Sequence, residues 1–400
     1  MISSSILALR REKFAQVTET PAALTAHASL QQKSDMSYRF MQEPSFLYLT
    51  GINEADWQVI FDGKEWHLVE PLTSDSHKLF DGHFSRDDAY KVSGITSILS
   101  SSEGEILLHK LAKTHKRIAT IGKDPSAKYY DFSLNPAPVQ LFARLKRVFA
   151  EVSDCRPILK KQRAIKTDEE IAVQQRAIDV TLDAFELVKK QLVQKRFEYE
   201  IEAEFNAAFR STGAGGHAYD PIVASGKNAC TLHYGANNDE LPKNGLVLID
   251  VGAQFDGYAA DITRTFAIGT PTPREKEIHA AVEGAHKKII ALIKPEVSFE
   301  FYQSEVDRIM KEALKQVGLL YSFDDEKNYR KYFPHAISHG LGIDVHESLG
   351  GFTEFKPGMI LTVEPGIYIP EEGIGVRIED DILVTDDGSR NLSAKLPISL

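Results

Sequence analysis

Two segments of the chain spell the same short pattern, and each carries two acids. Gly245-Leu-Val-Leu-Ile-Asp250-Val-Gly252 runs on to Gly257-Tyr-Ala-Ala-Asp261, and Gly358-Met-Ile-Leu-Thr-Val-Glu364-Pro-Gly366 runs on to Gly375-Val-Arg-Ile-Glu379. In both, an apolar strand ends in a carboxylate, a glycine sits two positions later, and a second carboxylate lies four residues past another glycine. This is a repeated β-hairpin. Burying a carboxylate is costly unless it is paired or bound to a cation, so four of them on apolar strands call for more than one positive charge. A dinuclear metal centre is the simplest arrangement that supplies it.

The hairpins belong to a larger duplication. Thr167-Asp-Glu-Glu170 has the form of a capping box, and a long helix with Ile171, Ile178, Phe185 and Leu192 on one face follows it. Ile201, Phe205 and Phe209 mark a second helix, ended by Gly213, and strands are expected over Asp220–Ala224, Leu246–Val251 and Tyr258–Ala267. After Pro271 and Pro273 the order restarts with a helix to about Leu292, a helix over Ser298–Val317, and strands over Ile343–His346, Ile360–Ile369 and Gly375–Val384. Each half then supplies half of one sheet, and the acid pairs meet near a pseudo-twofold axis. At 400 residues the chain exceeds the usual size of a single core, and an α/β domain precedes the duplication. There, Phe46–Gly51, Trp57–Phe61 and Trp66–Val69 read as strands with a turn at Asp62-Gly63, Ile118–Gly122 as another strand, and Pro138–Val152 as an amphipathic helix. The basic, aperiodic run Asp154–Lys166 carries the boundary, which divides the chain into residues 1–157 and 158–400.

Strand side chains alternate faces. Asp261 therefore shares a face with Ala259, Thr263 and Thr265, and Glu379 shares one with Gly375, Arg377 and Asp381, while Ile262, Phe266, Val376 and Ile378 point the other way. The acids face a polar cleft, with Thr263 and Arg377 placed to hold them. A mixed carboxylate and imidazole set suits Mn²⁺, Co²⁺, Fe²⁺ or Zn²⁺. The imidazoles are concentrated in Pro334-His335-Ala-Ile-Ser-His339-Gly-Leu-Gly342-Ile-Asp-Val-His346, where His339 is the expected nitrogen ligand, and His233 lies close enough to the first acid strand to line the same cleft. Plainer readings stand beside these. Arg377 can be an ordinary ion-pair partner of Glu379, and His335 and His346 can be packing or hydrogen-bonding residues. Gly213-Ala-Gly215-Gly216 has no helix start behind it and reads as a flexible cleft loop, not a phosphate loop.

Composition excludes several classes. A formal net charge of −10 and a pI near 5.8 argue against a nucleic-acid partner. Cys155 and Cys230 form neither a CxxC motif nor a disulfide framework. The short apolar run Ile6–Leu9 precedes Arg10 and Arg11, the wrong order for a signal peptide, and no apolar stretch approaches the roughly 18 residues that span a bilayer. A cytoplasmic protein with no membrane partner is expected.

The acid hairpins, together with Ser338-His339-Gly-Leu-Gly342-Ile-Asp-Val-His346, Thr362-Val-Glu364-Pro-Gly366 and Arg377-Ile-Glu379-Asp380-Asp381, resemble the pita-bread metallopeptidases over nearly the whole chain. Phe40-Met-Gln42-Glu-Pro-Ser-Phe46-Leu-Tyr48-Leu-Thr-Gly51 is similar to the N-terminal domain of the proline-specific branch, aminopeptidase P and prolidase, although Met41 stands where an arginine is common. The resemblance implies an α/β (α+β) chain, with a creatinase-like N-terminal domain followed by a pseudo-twofold pita-bread catalytic domain. It implies two divalent ions, Mn²⁺ foremost: Asp250 and Asp261 on one, His339 and Glu364 completing the second, Asp261 and Glu379 bridging. Metal-bound hydroxide would then release the N-terminal residue of peptides with proline at the second position. By the same resemblance Glu364 shuttles the proton, His346 and His233 hold the carbonyl and the oxyanion, His335 borders the proline pocket and Arg377 supports the site. A homodimer or homotetramer is expected. A prolidase, cutting Xaa-Pro dipeptides alone, is the nearest alternative. A metal-free peptide-binding module on the same fold is another, against which the intact Asp250, Asp261, His339, Glu364 and Glu379 speak.

Overall fold

The computed structural model describes residues 2–122 and 133–400, which separate into two compact units, Met1–Arg163 and Ala164–Leu400. The first unit is built on a six-stranded mixed sheet, in the order Ser97–Leu99, Trp66–Val69, Gln58–Phe61, Ala22–Thr25, Arg117–Thr120, Glu151–Asp154. The helices Ser101–Thr114 and Pro136–Val148 cover it, burying Leu108, Leu111 and Leu145 with Ala23, Ile60 and Ile118. The turn at Asp62 forms as its sequence suggests, with the carboxylate accepting from the Lys64 and Glu65 amides at 2.8 and 2.7 Å. Two expectations are corrected. Phe46–Gly51 is not a strand but lies in the helix Pro44–Thr50 and its cap. Its aromatic residues suit a strand, yet Glu43 accepts from the Phe46 amide at 2.6 Å, Pro44 opens the first turn, and Gly51 closes the helix at φ 69°. The helix expected to reach Val152 stops at Val148, where the chain enters the edge strand Glu151–Asp154.

The second unit shows the duplication, but the two halves contribute separate small sheets and not halves of one sheet. Its first half runs through the helices Asp168–Gln191 and Glu198–Ser211 to the antiparallel strands Ile222–Ser225, Gly245–Val251 and Ile262–Ile268. The second half repeats this with helices Pro273–Ile290 and Phe299–Gln316, the pair Ile360–Val363 with Asp380–Val384, and the hairpin Gly366–Ile369 with Ile374–Arg377. The capping box at Thr167 is complete, since the Glu170 carboxylate accepts from the Thr167 amide at 3.0 Å while the threonine hydroxyl accepts from Glu170. Two apolar cores result, one centred on each half, the first also taking in Leu341, Ile360, Leu383, Leu392 and Leu396 from the second. Phe185, Phe205 and Phe209 pack with Ile249 and Phe266 in one, and Ile278, Val306 and Met310 with Leu361, Ile367 and Val376 in the other.

Four stretches depart from regular strand, among them Ile360–Ile369, which breaks at Glu364-Pro365. Tyr258–Ala267 is interrupted at Ala260-Asp261, and Gly375–Val384 at Ile378-Glu379. At these breaks the backbone turns to the opposite half: the Glu379 amide donates to the Thr263 carbonyl at 3.0 Å, and the Asp261 amide to Asp381 Oδ2 at 3.2 Å. Ile343–His346 is not a strand but a curl, closed by Glu347 N to Gly340 O at 2.8 Å and Gly342 N to Asp344 O at 3.1 Å. Gly216-His217 is no flexible loop, because it pairs with Ala253 and Gln254. Among the described residues no helix is long and apolar enough to cross a membrane.

Candidate metal centre

Asp250 lies near the end of the strand Gly245–Val251, opposite Thr263. Its carboxylate accepts from Tyr219 Oη at 2.6 Å and from Arg377 Nη2 at 2.5 Å. The glycine of the repeated pattern has a direct reason here, since a Cβ on Gly252 would stand 1.7 Å from the Ala260 carbonyl oxygen. Only glycine lets the acid strand pass so close to the segment that delivers Asp261. Glu379 accepts from Thr263 Oγ1 at 2.7 Å, and that hydroxyl accepts from Arg377 Nε at 3.1 Å. Arg377 also donates to Tyr368 Oη at 2.9 Å. Its carboxylate partner is thus Asp250, across the pseudo-axis, and not Glu379 two residues along.

The segment Ile337–Leu341 runs beside Ile360–Glu364, bonded through Leu341 N to Ile360 O, Thr362 N to His339 O and Glu364 N to Ile337 O at 2.9–3.0 Å. His339 and Glu364 are therefore diagonal neighbours across the pair, His339 facing Thr362 and Glu364 facing Ile337. His339 Nδ1 lies 3.0 Å from the Gly340 carbonyl, which can only accept, so Nδ1 carries the hydrogen and Nε2 presents its lone pair to the acids. Nε2 stands 3.5 Å from both Asp261 Oδ2 and Glu364 Oε1. Ligand atoms of Asp261, His339 and Glu379 all fall within 4.8 Å of one another. These three, with Asp250 and Glu364, line one cavity of about 330 Å³. His233, His335, His346 and Arg377 line it too, so every candidate metal ligand and every candidate catalytic residue reaches the same space. The His346 ring stands edge-on to His339 at 4.5 Å, and His335 Nε2 is 2.8 Å from Tyr368 Oη.

Electrostatics supply the test of whether cations fit. Burial, reinforced by neighbouring acids, holds Asp261 and Glu379 well above the ordinary carboxylate range, and burial pushes Glu364 up to about 8 despite the pull of Arg377. Burial lowers His335 and His339 to about 4 and also lowers His346, so these imidazoles are neutral at pH 7. Converging acids that resist ionising, beside a neutral imidazole with an aimed lone pair, form a donor set suited to divalent cations.

Sequence reasoning missed Tyr219, Tyr368 and Thr362. Thr362 Oγ1 accepts from the His339 amide at 3.1 Å and donates to Glu364 Oε1 at 3.3 Å, which locks the two residues' relative placement. Tyr368 was within reach, because it lies two residues beyond Gly366 and so on the same strand face. Tyr219 had no such signal, as it precedes its strand in an irregular segment.

The fold and site together define a metallohydrolase centre in a duplicated unit. Metallopeptidase family M24 matches residues 172–386, and the aminopeptidase P N-terminal domain matches residues 7–119. The chain belongs to metallopeptidase family M24. It is 33% identical over 404 residues to the Xaa-Pro aminopeptidase of Escherichia coli (strain K12), covering 94% of this chain and 90% of that protein. The Xaa-Pro dipeptidase of Pyrococcus furiosus is 34% identical over 249 residues, 61% of this chain and 66% of that protein. The solved structure of aminopeptidase P from E. coli with the inhibitor Pro-Leu aligns with a TM-score of 0.85 at 30% identity, covering 99% of this chain and 96% of that one.

Proposed function

We propose that this chain is a dinuclear metal-dependent Xaa-Pro aminopeptidase, which releases the residue preceding a penultimate proline. The observation that carries the reading is the convergence of Asp261, His339 and Glu379 within 4.8 Å, in a chain similar to a Xaa-Pro aminopeptidase over 94% of its length. Asp250, Asp261, His339, Glu364 and Glu379 would hold the ions, with Mn²⁺ preferred over Co²⁺, Fe²⁺ and Zn²⁺ because oxygen donors dominate. Divalent ions held by this set would supply polarisation of the scissile carbonyl and a water made nucleophilic near neutral pH. Glu364 accepts the proton of the attacking water on its carboxylate and returns it to the leaving proline nitrogen. His233 and His346 donate to the substrate carbonyl and the developing oxyanion, where preorganised donors count most. His335 borders the proline ring, and Arg377 fixes Asp250. Proline needs a dedicated enzyme because its tertiary amide offers no N–H and fixes φ. The chain's two free thiols suit the reducing cytoplasm, and the assembly is a homodimer or homotetramer.

A comparison of substrates tests this reading against the dipeptidase. Xaa-Pro-Yaa tripeptides should be cut with higher kcat/KM than Xaa-Pro dipeptides, and Xaa-Ala-Yaa peptides poorly, since losing the ring costs transition-state positioning. A strong preference for dipeptides would make the protein a prolidase, and equal cleavage of Xaa-Ala would remove proline specificity.

A further inference from the structure

Outside the metal centre, Glu198 is a charged side chain with no exposed surface and no part in the chemistry above. It stands at the first position of the helix Glu198–Ser211, and both its oxygens act only as acceptors. Oε1 accepts from the Ser225 amide at 2.9 Å, the Ser225 hydroxyl at 3.0 Å and Asn228 Nδ2 at 3.3 Å. Oε2 accepts from Tyr234 Oη at 2.9 Å and the Asp239 amide at 3.1 Å. The Glu198 amide closes the ring by donating to the Asp239 carbonyl at 3.0 Å. All these donors belong to one stretch of chain. Ser225 is its first residue, Asp239 its last, Asn228 and Tyr234 lie within it, and His233 is the neighbour of Tyr234. The stretch between the strands Ile222–Ser225 and Gly245–Val251 holds a five-residue 3₁₀ turn and otherwise little regular structure, so side-chain bonds must fix its path. Leu232, His233 and Gly235 from it line the cavity.

We propose that Glu198 is a positioning residue, which anchors the Ser225–Asp239 loop so that His233 faces the substrate carbonyl. The inference rests on the role assigned to His233 above. Glutamine at this position keeps an acceptor for Ser225 but turns an NH₂ group towards the Asp239 amide, two donors face to face. Alanine removes every bond at once.

Hydrogen–deuterium exchange on the metal-free full chain gives the first readout. E198Q should raise exchange over residues 226–239 and leave residues 337–364 unchanged. Kinetics on the loaded enzyme give the second, through the set E198Q, E198A, H233A and E198A/H233A, with Y234F removing only the hydroxyl beside His233. E198A should retain the wild-type metal content and lower kcat about tenfold with KM within about twofold, E198Q and Y234F falling between; in the H233A background E198A should cost less than about twofold. Unchanged exchange over 226–239, or penalties that multiply in the double variant, would overturn the assignment, the latter by showing that Glu198 acts on folding and not through His233. A wild-type enzyme that fails to cut Xaa-Pro-Yaa would instead strike the proposed function, and the exchange result is read without it.

Discussion

Replacing Lys166 with methionine should destabilise the second unit far more than a typical substitution. Lys166 Nζ lies 2.9 Å from Glu347 Oε2, with side chains only 1% and 3% exposed. At that distance and an effective dielectric constant of about 20 the attraction is about 6 kcal/mol. Desolvation of both ions offsets much of it, so the intact pair contributes little net stability, but removing Lys166 takes the neutralising cation from a buried carboxylate and costs about 3–5 kcal/mol. The space around the carboxylate does not relax easily: a Cβ on Gly342 would come within 2.0 Å of Glu347 Oε2, and the Glu347 amide is tied to Gly340. For a unit of this size each kcal/mol moves Tm by about 2–4 °C, which gives a loss of roughly 6–20 °C. Scanning calorimetry of the metal-free protein is the assay, so that ion binding does not mask the change. The double variant K166M/E347L, which removes both charges, should recover most of the loss. A K166M shift below about 2 °C, or a double variant no better than the single, would refute this account of the pair.

Glu364→Gln should abolish turnover while keeping most bound metal, whereas Asp261→Ala should strip metal; elemental analysis beside activity separates the two, and metal retained in Asp261→Ala would contradict its place in the donor set. Chelation should remove activity and Mn²⁺ or Co²⁺ restore it, with about two ions per chain at saturation for a two-metal site; full activity in metal-free protein would end the metallopeptidase reading. Burial raises Asp261, Glu379 and Glu364, the last to about 8, so between their unfolded values and that pH these three groups bind more protons in the folded metal-free chain than in the unfolded one. Below about 6.5 the lowered imidazoles of His335, His339 and His346 act in the opposite sense, so stability should fall with rising pH between about 6.5 and 8 in calorimetric scans. Metal uptake near pH 7 should expel protons, visible as titration heats that depend on the buffer's ionisation enthalpy; identical heats in two buffers would count against it.

What could be read from the sequence was what repeats or alternates. Asp250, Asp261, Glu364 and Glu379 stood out because one pattern occurs twice, and alternation put Thr263 on the face from which it donates to Glu379. The strand breaks at Asp261 and Glu379 were hidden, because their cause is a carbonyl or carboxylate more than 100 residues away in the other half. Phe46–Gly51 misled for the opposite reason: the strand-like composition was local, but so were the stronger capping signals of Glu43, Pro44 and Gly51. Glu198, Lys166 and Tyr219 gave no signal at all. A lone acid, lysine or tyrosine acquires its meaning only from partners that tertiary structure brings to it, and in the sequence each resembles an ordinary surface residue.

The two halves contribute unequally to the cavity. Each brings a hairpin with two acids, but His335, His339, His346 and Arg377 come from the second half alone, while Tyr219 and His233 come from the first. Four acids related by a twofold axis would present the same face to a peptide laid in either direction, and such a site could not tell an amino end from a carboxyl end. Three of the four imidazoles and the guanidinium stand on one side of the axis, and they give the cavity a polarity that the duplicated acids lack. Such an asymmetry is what a site that tells an amino end from a carboxyl end requires, and most of it comes from the second half.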